Sequence, residues 1–426
     1  MSPKKRGLAE GRPLKLLTAG CALFAALNVN AAGLSLAQAE SMALRQDPSL
    51  LEVESRRTVM EEMAVASGQL PDPMLRMGFM SLPTDTWNLG QEPMTQAVIG
   101  VTQKFPRGKT RALRAEQILE QAGALDETLQ DQRLRVALAV REDYLEVLKQ
   151  LKLAEINAEA IRAFSDLANI TQDYYATGRV QQQDVLRAAV ELAKAQDRAT
   201  RIAQEEDRAR ARLEAWIGPD AWLELESDWP DLGPPPSPDE LKERLAGHPR
   251  ILALQQQAEA ADIGIELADQ RYKPELGVDL AYGARGGNNP DGSSRADLFS
   301  VMLTMDLPLF HANRQDRYKA AAVSQSSAAL FSRDDTYRRM SSEARLHAVT
   351  LKRQMERKNL FEESLLPDAE FNAEAAFSAY QAALDSLTTL MRARITEYEL
   401  QLEYAGLSAE VLKTQARLRY FKGDAE

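Results

Sequence analysis

Between Gly108 and Tyr175 the chain runs without a proline, and Gly123 is the one weak helix former of its kind in that interval. About 65 residues of helical sequence make a rod of roughly 100 Å at 1.5 Å per residue. No compact core needs an element of that length. Within it Val140, Tyr144, Val147, Leu151, Ala154, Ala158 and Ile161 recur at alternating steps of four and three, the seam of coiled-coil packing. Leu134, Leu138, Leu145 and Leu148 supply a second seam beside it. Two adjacent seams let one helix touch neighbours on both sides, as a closed cylinder of helices requires. A long two-stranded coiled coil is the plainer alternative, and the strands that precede each long helix count against it.

The chain is written twice. Gln46-Asp47-Pro48-Ser49-Leu50 opens one helical stretch, and Gly247-His248-Pro249-Arg250-Ile251 opens another about 201 residues later. Each first helix ends at proline, in Leu70-Pro71-Asp72-Pro73 and in Tyr272-Lys273-Pro274. Two short alternating segments follow in each half, closed by Lys104-Phe105-Pro106 and by Asp306-Leu307-Pro308. The long helical sequence then breaks at Tyr175-Ala176-Thr177-Gly178 and at Tyr380-Gln381-Ala382-Ala383, an offset of about 205 that matches Arg187-Ala188 to Arg392-Ala393. A period near 200 is a duplicated domain, far longer than a solenoid repeat. Between the halves Gly233-Pro234-Pro235-Pro236-Ser237-Pro238 reads as a stiff linker, with Ser237 or Asp239 placed to start the next helix. The expected division is a signal peptide over 1–31, a first repeat over 32–218, a linker over 219–240 and a second repeat over 241–426, each repeat holding a helix, two strands and a long helical hairpin.

The short segments read as strands with one apolar face. Phe299, Val301, Leu303, Met305 and Leu307 point one way while Ser300, Met302, Thr304 and Asp306 point the other. Leu276, Val278, Leu280 and Tyr282 alternate likewise with Glu275, Gly277, Asp279 and Ala281. The first pair is weaker: Leu75, Met77 and Phe79 against Arg76, Gly78 and Met80, then Ala97, Ile99, Val101 and Phe105 against Val98, Gly100, Thr102 and Lys104. Four strands cannot close a barrel alone. The loops within the pairs, Pro83 to Pro93 and Gly286 to Ser294, are polar and turn-rich and belong in water.

Composition removes whole classes of function. The 426 residues carry 52 Lys and Arg against 63 Asp and Glu, a net charge of −11, too acidic overall for a nucleic-acid binder. One cysteine and three scattered histidines (His248, His311, His347) leave no zinc-type ligand set, and no glycine-rich phosphate loop occurs. No cofactor, metal site or enzyme chemistry is expected, because neither a nucleophile with its base nor a metal cluster can be assembled. Ala, Leu, Gln, Glu and Arg dominate, the composition of long helices.

The N-terminus reads as an export signal. Lys4, Lys5, Arg6, Arg12 and Lys15 form a basic region, Leu16 to Leu27 an uncharged one, and Val29 with Ala31 a small-residue cleavage site. The apolar run is too short to span a bilayer. Cleavage after Ala31, with Ala32 as the next choice, leaves a mature charge near −15. Cys21 departs from a lipobox because Thr18 stands where leucine is usual and apolar sequence continues beyond it. Without Cys21 the mature chain has no cysteine, which suits an oxidising compartment.

These features together resemble the TolC-like outer membrane efflux channels, over essentially the whole mature length. The carrying motifs are the LxxAxxMALRQDP run from Leu36, Val101-Thr102-Gln103-Lys104-Phe105-Pro106-Arg107-Gly108-Lys109, the turn Gly178-Arg179-Val180-Gln181-Gln182-Gln183-Asp184-Val185-Leu186, and Asp306-Leu307-Pro308-Leu309-Phe310. The resemblance implies a mainly α fold with a small β part: a duplicated long-helix coiled-coil barrel, with four strands per chain contributing to a trimeric 12-stranded transmembrane β-barrel. Phe299, Val301, Leu303 and Met305 then face lipid. It further implies an outer membrane protein whose helical tunnel crosses the periplasm, with a periplasmic adaptor and an inner membrane pump as partners.

Gly178, Arg179, Val180 and Asp184 would form the periplasmic tip, where the tunnel narrows and the adaptor docks, with Gly178 supplying the tight reversal and Asp184 beginning the returning helix as its cap. Their duplicates include Tyr380, Ala383, Asp385, Leu387 and Thr389. Ala383 replaces the glycine, Thr389 takes the place of Asp184, and Asp385 lies where arginine is usual in the family, so the usual charged gate is not intact. Gln182 to Ala188 and the FPRGK segment are most similar to the heavy-metal branch of CusC and CzcC, whose partners are resistance-nodulation-division pumps. Methionines such as Met74, Met77 and Met80 read as apolar filler and not as a copper path. A type I secretion or drug-efflux channel would use the same fold. A structural coiled-coil protein of the envelope would show neither the strand alternation nor the duplicated order.

Overall fold

The computed structural model describes residues 33–382 and 384–423. The expected signal peptide, its cleavage site and Cys21 lie outside the described residues, as does Ala383. Helices α1 (Leu36–Gln46) and α2 (Pro48–Ser67) precede strands β1 (Met74–Met80) and β2 (Gln96–Phe105), then α3 (Thr110–Ala176) and α4 (Gln182–Ile217). A short 3₁₀ turn over Gly218–Trp222 leads into the linker and α5 (Pro238–Leu245). There follow α6 (Pro249–Gln270), β3 (Leu276–Ala284), β4 (Leu298–Met305), α7 (Gln315–Leu360), a π-helical turn at Phe361–Leu365, α8 (Leu366–Gln381) and α9 (Leu387–Lys422). Among the described residues no helix is long and apolar enough to cross a membrane.

Helix α3 is the spine. Its 67 residues pack in turn against α1, α2, α4, α6 and α9, and its buried residues feed two cores that do not divide by seam, since Leu148 of the second seam joins the first and Leu138 touches both. Val136, Val140, Tyr144, Val147 and Leu148 join α1, α4 and Ala416 of α9, while Leu134 joins α5, α6, α7 and α9. The first seam does not hold to its end. Ala158 is exposed, and Asn157, Ala160, Phe164, Leu167 and Thr171 are the buried positions beyond Gln150. The buried line there lies one residue back because α3 changes partners: Val140 to Leu148 pack with α1 and the end of α4, whereas Ala160, Phe164 and Leu167 pack with the start of α4 and with α8 and α9. Asn157 tolerates burial because its amide donates to the Ala195 carbonyl at 2.9 Å.

Small residues set how closely the hairpins approach. On α4 the buried positions Ala188, Ala195, Ile202 and Ala209 repeat every seven residues, and on α8 Ala369, Ala373, Ala376 and Tyr380 do the same work. The π turn between α7 and α8 was not visible in the periodicity. Its signal is Pro367, which lacks an N–H and would press its ring on the Glu363 carbonyl in a regular helix.

The sheet has the order β1-β2-β3-β4, antiparallel throughout. Met77 lies opposite Ile99, Ile99 opposite Tyr282 and Tyr282 opposite Phe299. The next row is Leu75, Val101, Leu280 and Val301. Opposed residues share a face, so the four alternations read from sequence merge into one apolar surface.

Equivalent helices begin with different chemistry. Asp47 caps α2 through its carboxylate, which accepts from Ser49 N–H at 2.7 Å. His248 caps α6, its Nδ1 accepting from Arg250 N–H at 3.2 Å while Nε2 reaches the Tyr420 carbonyl at 2.9 Å. Burial lowers the His248 pKa, which keeps the ring neutral and the Nε2–H tautomer in place. Ser237, one of the two expected starters, caps α5 by accepting from Glu240 N–H at 3.1 Å.

Ion pairs tie α3 to its neighbours. Arg141 holds Glu40 of α1 through two bonds of 2.6 and 2.8 Å. Lys413 of α9 reaches Glu146 at 2.5 Å, and Lys149 and Gln150 bond the other carboxylate oxygen at 2.6 and 2.8 Å. Burial alone would raise the Glu146 pKa, yet these donors pull it down to about 2. A depressed carboxyl stabilises the fold above its unfolded pKa and loses that contribution as pH falls from about 4.5 toward 2. Glu146→Gln should therefore cost about 2 to 3 kcal/mol near neutrality. Denaturation midpoints of wild type and variant should converge near pH 2; a gap that persists there would assign the loss to packing.

Candidate functional site

Two regions hold the residues singled out by sequence: the turns joining α3 to α4 and α8 to α9, and the sheet. The α3–α4 turn is a left-handed cap. Gly178 has φ +73° and its N–H bonds the Tyr175 carbonyl at 3.0 Å, while Arg179 N–H bonds the Tyr174 carbonyl at 2.8 Å. That pair of bonds satisfies the last carbonyls of the helix and needs a residue that accepts positive φ. Arg179 stacks its guanidinium over the Tyr174 ring at 5.5 Å. The α8–α9 turn repeats the longer bond, Leu384 N–H to the Ala379 carbonyl at 2.9 Å.

Asp184 does not occupy the cap itself. Gln181 precedes the first helical residue, and Asp184 at the third position accepts from Gln181 N–H at 3.2 Å. It therefore closes a capping box and neutralises the positive end of α4. In the second turn Ser386 is the cap, accepting from Thr389 N–H at 3.3 Å. Thr389 stands at the third position, as its alignment with Asp184 implies, and donates its hydroxyl to Asp385 at 2.8 Å. Asp385 also accepts from Ser386 N–H at 2.6 Å, so its charge is engaged within its own turn.

The turns meet through α8 and α9. Tyr380 and Leu387 are buried together with Phe164, Leu167 and Ala188, and the Tyr174 and Tyr380 rings lie 6.2 Å apart. Burial first, and then the Tyr174 and Asp184 groups nearby, raise the Tyr380 pKa. The structure thus brings Tyr380 and Asp184 close and leaves Asp385 apart from them in its hydrogen bonding. Val180 is half-buried. Two residues were missed as members of this site. Arg187 of α4 hydrogen-bonds Thr388 of α9 and so bridges the hairpins; its alignment with Arg392 was the available signal. Tyr174, one residue before the recognised break, had none.

On the sheet, Phe299, Val301, Leu303 and Met305 are 69%, 66%, 68% and 50% exposed, and no other part of the described chain covers them. Gln103 is the one polar interruption of this face, its amide spent on the Pro71 and Lys104 carbonyls at 2.9 Å each. The opposite face is polar at its centre. Asp279 accepts from Arg76 at 2.9 Å and from the Thr102 hydroxyl at 2.6 Å, joining three strands. Beyond the sheet Arg107 pairs with Asp306, and Glu275 N–H donates to the same carboxylate at 2.5 Å. The two loops at the other end are also joined, through Arg295 to the Gly90 and Glu92 carbonyls at 3.1 and 3.0 Å. Among the described residues no three His, Cys, Asp or Glu side chains are grouped to hold a metal ion.

No protein-family model matches the chain, and no curated protein sequence matches it. Solved structures do. The outer membrane protein VceC of Vibrio cholerae superposes with a TM-score of 0.76 at 16% identity, over 91% of this chain and 96% of that one. The MtrE outer membrane channel of Neisseria gonorrhoeae, in its open state, gives 0.77 at 12%, over 92% and 90%. CusC, described in terms of folding and transmembrane channel formation, gives 0.73 at 12%, over 91% of each chain. The chain has the fold of the TolC-like outer membrane channels.

Proposed function

We propose that this chain is the outer membrane channel of a tripartite efflux system, a passive conduit from periplasm to exterior. The observation that carries the reading is the sheet: four strands with one exposed apolar face, a polar opposite face held by Arg76, Thr102 and Asp279, and, among the described residues, no partner strand for β1 or β4 at its outer edge. Unpaired backbone in hydrocarbon costs several kcal/mol per group. Three copies remove all the edges by closing one barrel of twelve strands, with the helices continuing as a tunnel into the periplasm. Export by a cleaved signal over residues 1–31, and repeats over 32–218 and 241–426 about a linker at 219–240, belong to the same reading. So do an adaptor seated at the Gly178 and Asp385 turns and an inner membrane pump below it.

For cargo, the similarity of Gln182 to Ala188 and of the FPRGK segment to the heavy-metal branch supports metal cations moved by a resistance-nodulation-division pump. Deleting the gene and scoring sensitivity to metal salts, to drugs and to loss of a secreted polypeptide tests this against drug efflux and type I secretion. Metal sensitivity alone supports the cargo reading; the other two phenotypes replace it.

Assembly is the first test of the conduit. Light scattering in detergent should give a stable homotrimer, and a stable monomer would refute closure. Depth is the second. Leu303→Arg places a charge on the lipid face and should hinder assembly by about 2 to 4 kcal/mol near the midplane, whereas Thr304→Arg, on the polar face, should be milder. Equal effects, read as trimer yield, would remove the face assignment. The tip is the third. A Cβ at Gly178 meets no atom within 4 Å, so a side chain there adds only the cost of positive φ, about 1 to 2 kcal/mol. Gly178→Trp should reach the outer membrane as a trimer and fail to support efflux; normal resistance in cells that rely on it would remove the tip assignment.

A further inference from the structure

Where the helices meet the sheet, α3, α6 and α7 enclose a cavity of about 560 Å³ lined by Arg107, Arg114, Gln117, Arg271, Glu275 and Tyr318 among others. A second cavity of about 400 Å³ adjoins it, sharing Arg107 and Glu275, and reaches up the sheet along Thr102, Lys104, Gly277, Asp279 and Thr304. Those strand residues share the face opposite Val278 and Leu303. The joined space therefore opens on the polar side of the sheet, the lumen in the channel reading.

Its charge is opposite to that of the chain. Arg76 is matched by Asp279, and Arg107 by Asp306. Lys104, Arg114 and Arg271 then face Glu275 alone, a surplus of two positive charges per chain in a protein whose formal net charge is −11. Among the described residues the Lys104 and Arg114 side chains make no ion pair or hydrogen bond. Arg271 holds its guanidinium carbon over the Tyr318 ring, 4.0 Å from the centroid, a contact that fixes the guanidinium while its N–H groups make no hydrogen bond among the described residues. The Arg107 Nε is buried with no hydrogen-bond partner. Preorganised guanidinium donors in a walled cavity suit planar oxyanions, which they bind bidentately.

We propose that this space is an anion subsite of the conduit, three to a trimer, that receives solutes bearing carboxylate or phosphate groups as they enter the barrel. The inference rests on the channel reading and narrows its cargo. It also sets a positive field in the path, so metal cations of the proposed cargo pass it as complexes with carboxylate or phosphate ligands. Rings of Arg and Lys select anions in other pores, and occupancy must stay weak for transport to proceed. The field is short-ranged at physiological salt, where the Debye length is about 8 Å.

The test uses purified full-length protein in detergent, with inorganic pyrophosphate as the probe. Phosphorus NMR lines of pyrophosphate should broaden with wild type, keep that broadening with Arg114→Lys/Arg271→Lys, and lose it with Arg114→Gln/Arg271→Gln. Equal broadening in all three proteins, or none in wild type, would overturn the subsite. In planar bilayers under a KCl gradient, wild type should pass chloride over potassium and the Gln variant should lose that preference. Conductance with unchanged selectivity overturns the inference alone. A wild type that forms no pore under any condition overturns the channel reading, and the inference with it.

Discussion

A helix of 67 residues carries rows of apolar side chains along its whole length that must be covered, because tertiary packing of its apolar faces supplies most of a helix's stability in a protein. Everything else in this molecule follows from how α3 is covered. It cannot rest on one neighbour, since straight helices pack at a crossing angle and diverge along about 100 Å of length. The chain answers by changing neighbours: α2 and α6 near the sheet, α1 and α9 midway, α4 toward the turn. Buried ion pairs such as Arg141 with Glu40 and Lys413 with Glu146 sit at the middle section. There three helices converge, and a mispaired neighbour would leave a charge without its counterion.

Much of this was legible from the residues. Proline-free length located α3, proline pairs bracketed the strands, and the apolar members of the four alternations fall opposite one another in the sheet, because paired strands keep the same period of two. Sequence reasoning failed where a choice depends on three-dimensional phase. Ala158 fitted the seam arithmetic and faces out; Asn157 broke the apolar rule and faces in, since the Ala195 carbonyl waits for its amide. At the α4 start Asp184 was correctly tied to the helix terminus but placed at its first position, because a capping box and a simple cap use the same residue types three positions apart. Arg187 and Tyr174 depend on contacts between hairpins distant in sequence, and no local pattern announces those.

The two halves keep backbone geometry and exchange the chemistry that secures it. Asp47 and His248 cap equivalent helices, one as a carboxylate and one as a neutral imidazole. Asp184 and Thr389 occupy equivalent third positions, and Thr389 hands its hydroxyl to Asp385, an acid engaged within its own turn. Backbone hydrogen bonds at helix ends tolerate many partners; the charges left over do not balance in the same way. The turns share a backbone bond spanning five residues, Arg179 to Tyr174 and Leu384 to Ala379, and differ in electrostatics.

The π turn at Phe361–Leu365 bears on how such a chain tolerates change in length. One extra residue in a helix rotates all that follows by about 100°, enough to swing the Ala369, Ala373 and Ala376 stripe off the face it shares with α9. A wide turn takes up that rotation in a single cycle, so the stripe stays in phase with its partner while Pro367 sits where its missing donor is harmless. A helix of this kind carries a slack link. Its two ends can be fitted to their partners separately, and the register of the hairpin below need not be fixed by the count of residues above.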